Sequence, residues 1–162
     1  MRIAVTGHRD LRGTTMLDVD TALRMLLAEF EEEGPMVGIT CLDDGVDHAF
    51  AKAVLDFGGT LEVIVPAADY RKSLAESNLL EYDRLLAAAE DVRELDYRET
   101  GPEARTGAAM AMLDIAEHLV AVWDGAPARI AGGTADVVEA AKDRGLPVTV
   151  VWPEGAERDE HR

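Results

Sequence analysis

Short apolar runs alternate with longer stretches whose apolar positions recur every three to four residues along the whole chain. The runs at 2–5, 37–40, 60–65, 92–95, 119–123 and 148–152 predict strands. Between them, 14–33 carries Leu17, Ala22, Leu23, Leu26, Leu27 and Phe30 at near-helical intervals, and 45–57 carries Val46, Ala49, Phe50, Ala53, Val54 and Phe57 in the same way. Segments 73–89, 103–117 and 134–144 read as further helices. Gly34-Pro35, Gly58-Gly59 and Gly145 stop the helices before them, and Pro66 is expected to end the third strand. Residues 97–102 are polar and predict an exposed loop.

Strands that are nearly continuously apolar, each followed by a helix, belong to sheets covered on both faces. The expected fold is α/β: a three-layer, Rossmann-like, doubly wound and mainly parallel sheet, with residues 1–153 as one domain and 154–162 as a polar tail. The strand order is expected to reverse between the first and fifth strands. Ligands of such sheets bind beyond the carboxyl ends of the strands at that reversal. The loop at Gly7 would then lie beside the one at Gly133.

Composition narrows the partners. The chain has 162 residues, 48% of them hydrophobic, and a formal net charge of -16. That charge argues against duplex nucleic acid, which needs a basic surface. No apolar run approaches the ~20 residues that cross a bilayer, so no membrane partner is expected. Met1-Arg2 leads straight into a strand with no secretory signal, which makes the cytoplasm the expected location. Cys41 is the single cysteine, and His8, His48, His118 and His161 show no metal-ligand spacing with it. No metal and no cofactor are expected.

The candidate chemistry sits where strands hand over to helices. Thr6-Gly7-His8-Arg9 follows the first strand: Gly7 permits a tight turn, and Arg9 can make a forked contact to phosphate. The same segment also reads as a plain connection with an exposed arginine. Gly45 and Asp47 follow the second strand, where an aspartate either caps the helix or orients a sugar hydroxyl. Tyr70 and Arg71 follow the third, in a surface loop or as stacking and anion-binding groups. Asp124 follows the fifth strand as part of an Asp-Gly turn or as a carboxylate at the mouth of the crevice. Gly132-Gly133-Thr134 opens the next helix, whose free N–H groups and dipole favour an anion. Glu139 lies further along that helix, either exposed or facing the crevice.

The Gly-His-Arg turn, the Asp-Asp-Gly-Val-Asp segment at 43–47 and the Gly-Gly-Thr helix start together resemble the SLOG superfamily. That group includes the DNA-processing protein A core, the LONELY GUY phosphoribohydrolases and the YspA/YpsA-like proteins. The resemblance covers nearly the whole chain. It implies a nucleotide-like small molecule as ligand and a homodimer or higher homo-oligomer. Of the phosphoribohydrolase signature Pro-Gly-Gly-x-Gly-Thr-x-x-Glu, Gly132, Gly133 and Glu139 match, whereas Ala131, Ala135 and Asp136 depart from it. The expectation is therefore binding of a nucleotide or nucleotide-derived ligand by a sensor or accessory domain. Gly7, His8, Arg9, Gly45, Asp47, Arg71, Gly132, Gly133 and Thr134 would form its site. The alternative is a phosphoribohydrolase that cleaves the N-glycosidic bond of a nucleoside 5′-monophosphate, with Glu139 and Asp124 as the catalytic carboxylates. Acidity argues against carrying over single-stranded DNA binding.

Overall fold

The structure, a computed structural model, describes residues 1–11, 13–128 and 133–158. Strands β1 (Arg2–Gly7), β2 (Val37–Thr40), β3 (Thr60–Ala67), β4 (Asp91–Tyr97), β5 (His118–Val122) and β6 (Val148–Val151) form one sheet in the order β4-β3-β2-β1-β5-β6. Every neighbouring pair is parallel. The order reverses between β1 and β5, whose ladder runs from Ile3 opposite His118 to Gly7 opposite Val122. The doubly wound parallel architecture expected from the alternation is the one observed.

Helices α1 (Gly13–Glu31), α2 (Val46–Asp56) and α4 (Leu79–Ala88) neighbour one another on one face of the sheet. Helices α5 (Pro102–Ile115) and α6 (Thr134–Asp143) pack together on the other. Right-handed crossovers demand this division: the chain winds outward from β1 to β4, then returns to β5 and β6. Leu119, Val120, Ala121 and Val122 are fully buried, as a central strand with both faces covered requires. Edge strand β4 is mostly exposed, which explains its weak apolar signal.

Three elements differ from the sequence expectation. β3 continues through Pro66 to Ala67, with a register shift between Val65 and Ala67; proline has no N–H for the ladder, so the pairing slips around it rather than ending. β4 reaches Tyr97 and takes in the start of the expected 97–102 loop. The expected helix 73–89 begins only at Leu79, as α4; ahead of it come a short α3 (Tyr70–Ser73), where Tyr70 and Arg71 were expected in a loop, and a 3₁₀ turn (Glu76–Asn78). Asp44 causes the late start: its carboxylate accepts from the Ala75 N–H at 3.0 Å and from Asn78 Nδ2 at 2.8 Å. That contact fastens the segment to the loop after β2.

Among the described residues no helix is long and apolar enough to cross a membrane. Within the same residues, no group of three or more His, Cys, Asp or Glu side chains is placed to hold a metal ion.

Candidate functional site

Every strand in a parallel sheet ends at the same edge, and every following helix begins there. At that edge lies a cavity of about 570 Å³, within the range of small-molecule sites. Gly7, His8 and Arg9 line it from the β1 end. Gly133, Thr134 and Ala135 line it from the start of α6. The two loops, far apart in sequence, therefore share one cavity at the strand-order reversal. Gly133 is the N-cap of α6, so first-turn amides of that helix face the same space. Gly132 lies outside the described residues.

Gly7 is required by packing. A β-carbon on it would stand 2.6 Å from Val46 Cγ1 at the start of α2. Gly45 adopts φ 84°, a left-handed conformation that caps α2 without a side-chain hydrogen bond. It turns the chain beside the cavity but does not line it. Asp47, in the first turn of α2, reaches back so that Oδ2 accepts from the Asp43 N–H at 3.1 Å. Burial, followed by the nearby Asp43 charge, raises its carboxyl to about 7 despite hydrogen bonds from Asp43, Thr40 and Cys41. Asp47 therefore organises the loop after β2 while also lining the cavity.

Around this frame stand arginines held by carboxylates. Arg105, in the first turn of α5, donates from Nη1 to Asp43 Oδ2 at 2.9 Å, and Arg9 Nε lies 3.7 Å from the same oxygen. Arg158 donates from Nε to both oxygens of Asp10, at 3.0 and 3.1 Å. His8 is buried, with its ring edge-on to Trp152 at 5.7 Å. Its Nε2 accepts from the Asp124 N–H at 3.2 Å, which assigns the proton of the neutral ring to Nδ1. Burial, then the Arg158 charge, keeps its pKa low and the imidazole neutral.

Asp124 serves its turn, accepting from the Ala126 N–H at 2.9 Å, and touches the site through His8 and Arg158 without lining the cavity. Burial raises its carboxyl, but the Ala126 N–H, His8 and Arg158 outweigh that and hold it below the ordinary range. Cys41 lines the cavity as a protonated thiol, pushed well up by burial and then by Asp47 and Asp43. Tyr70 is buried against the same carboxylates. Its hydroxyl is the one buried side-chain polar atom without a hydrogen-bond partner among the described residues.

Besides Gly45 and Asp124, two more expected site residues do not line the cavity. Glu139 is exposed and absent from the lining, because Val137, Val138 and Ala141 are the buried positions of α6 and its stretch between them faces solvent. Arg71 is turned outward into a two-bond pair with Asp83, at 3.0 and 2.8 Å. Conversely, Arg105 and Arg158 line the cavity although no pattern in the sequence marks them. The position of Arg105 one turn inside a helix start is the only local signal, and it means something only once α5 is known to begin at this edge. Arg158 belongs to the expected tail.

No protein-family model matches the chain, and no curated protein matches it. Solved structures share its fold. DNA processing protein A from Streptococcus pneumoniae is 18% identical over 92% of this chain, with a TM-score of 0.66; the chain spans 49% of that protein. DNA processing protein A from Helicobacter pylori, whose structure describes a single-stranded DNA binding mode, is 13% identical over 98% of this chain and 68% of its own, with a TM-score of 0.65. The Moco carrier protein from Chlamydomonas reinhardtii is 19% identical over 94% of this chain and 77% of its own, with a TM-score of 0.57. The resemblance to the SLOG group thus holds at the level of the fold. The expectation that acidity keeps nucleic acid away, duplex and single-stranded alike, is corrected for single strands. A protein of this fold binds single-stranded DNA, so the net acidity of the chain is no ground for exclusion. Net charge sums over the whole surface, whereas a strand of DNA meets only the charges of its own groove.

Proposed function

We propose that this protein binds a nucleotide or nucleotide-derived ligand at the carboxyl edge of its sheet, as a sensor or accessory domain. The observation that carries the reading is the shared cavity. The Gly7 turn and the α6 amino end line one space of about 570 Å³ at the reversal of strand order. Helix amides and the flanking Arg9 supply donors for a phosphate. The Asp43 and Asp47 side is suited to hydroxyl or base N–H donors. Structural neighbours that handle single-stranded DNA and, by name, a molybdenum cofactor support a phosphate-bearing organic ligand of this kind.

The hydrolase alternative loses its main support, because Glu139 faces solvent outside the cavity. An oxocarbenium-like transition state needs a carboxylate beside the anomeric carbon.

The test is equilibrium binding to a panel of nucleoside 5′-monophosphates and a short single-stranded oligodeoxynucleotide, with chromatography of the recovered ligand. Retention of an unhydrolysed nucleotide is the expected result. Accumulation of free base would replace the binding reading with the hydrolase. Binding of no panel member would end it.

A further inference from the structure

The chain beyond β6 turns back over the site. Trp152 meets His8, the Glu157 N–H donates to Thr15 Oγ1 at 3.1 Å, and Arg158 reaches the loops at the strand-order reversal. The Arg158 side chain is 14% exposed, against 41% for Arg9. Its hydrogen bonds to the described residues use Nε alone; Nη1 stands 3.8 Å from Asp124 Oδ2, outside hydrogen-bond range. Neither Nη group, with four N–H donors between them, hydrogen-bonds a described residue, and Arg158 is part of the cavity lining. A guanidinium is suited to this placement: its planar fork matches two phosphate oxygens, and partial burial reduces the screening that weakens Arg9. Asp10, which itself lines the cavity, holds the guanidinium through Nε, so little side-chain freedom is lost when an anion arrives.

We propose that Arg158 is a phosphate-contacting residue, and that residues 152–158 are a strap carrying it into the nucleotide site. This rests on the nucleotide reading above and adds to it a donor from outside the sheet's own loops. The strap also makes the cavity depend on the chain after the last strand, where alternation of strand and helix has ended.

The test is calorimetric titration of adenosine 5′-monophosphate, adenosine and inorganic phosphate into the full chain and into Arg158→Ala and Arg158→Lys, with thermal unfolding of each. Arg158→Ala should weaken the monophosphate by about tenfold or more, the size of a lost charge-assisted hydrogen bond, and leave adenosine within about twofold. Arg158→Lys should recover part of the loss, since it restores charge without the fork. Unchanged monophosphate affinity overturns the proposal. So does an equal loss for monophosphate and adenosine, which would make Arg158 a structural brace. Should Arg158→Ala fail to fold, Arg158→Lys decides, and wild-type affinity in it overturns the proposal. Absence of binding by the unmodified protein to any of the three probes removes the nucleotide reading for adenylates and this strap with it.

Discussion

Two buried polar side chains at the cavity have consequences that can be measured without any ligand. The Tyr70 hydroxyl is buried with no partner among the described residues, and a buried unpaired hydroxyl costs about 1–3 kcal/mol. Tyr70→Phe keeps the ring against Tyr82, whose centroid lies 6.2 Å away, and removes only the oxygen. Urea unfolding should show the variant more stable by about 1 kcal/mol. Asp47 titrates near 7 in the folded protein because burial and Asp43 disfavour its charge. Its folded pKa lies above the unfolded one, so the stability it contributes is complete below about pH 4 and lost as the pH rises to about 7. Asp47→Asn removes that titration. Between about pH 4.5 and about pH 8 the variant should gain on the wild type, by on the order of 3 kcal/mol in unfolding free energy. A constant difference across that range would show that Asp47 does not titrate there. That Asp47 acts as a local cap was legible in part, since an aspartate beside the Gly45 turn was expected to cap the helix; it caps the Asp43 N–H of the preceding loop instead. Its shifted pKa was not legible, because desolvation comes from residues brought over by other elements.

At the scale of elements, the contact between β1 and α2 decides the shape of the first loop. Gly7 ends β1 directly against Val46, which is buried at the start of α2. Gly7→Ala forces a methyl into that side chain and should cost about 1–3 kcal/mol, the usual range for overpacking. Adding Val46→Ala should recover part of the loss, and additive costs in the double variant would show that the two sites do not touch. The expected role of Gly7 was a tight turn; the observed role includes close approach of a helix. The β1–β2 half of the sheet was readable at nearly its true boundaries, because Leu23, Leu27, Phe50 and Val54 repeat at helical spacing and all lie fully buried or nearly so. The segment 70–88 was not readable. Its helical pattern is real, but Asp44, 31 residues from Ala75, takes an amide the continuous helix would need.

For the molecule as a whole, charge sets how an anion arrives. A net charge of -16 repels nucleotides at long range, while the arginines act only within the cavity. Added salt screens the long-range part first. The association rate constant for a nucleoside monophosphate should therefore rise by several-fold between about 0.01 and 0.15 M salt, as read by stopped-flow fluorescence. A rate that falls with salt would mean the field at the cavity mouth is positive, and the arginines outweigh the rest of the surface. The same reasoning shows why composition misled on partners. Bulk acidity was legible and correct, but the local arrangement of Arg9, Arg105 and Arg158 around the cavity exists only in three dimensions.

The order of hydrophobic and polar residues by itself determined the number and succession of main strands and helices, because burial on both faces of a parallel sheet needs continuous apolar runs and one-sided helices. It also placed Gly7 and Gly133 at ends of elements that must share an edge. Tertiary structure alone decided which side chains meet there. Helix α5 delivers Arg105, the returning chain delivers Arg158, and α6 turns Glu139 to solvent. The physical reason is that a cavity wall is chosen by the phase of each helix and the path of each loop, and neither is written in spacing along one segment.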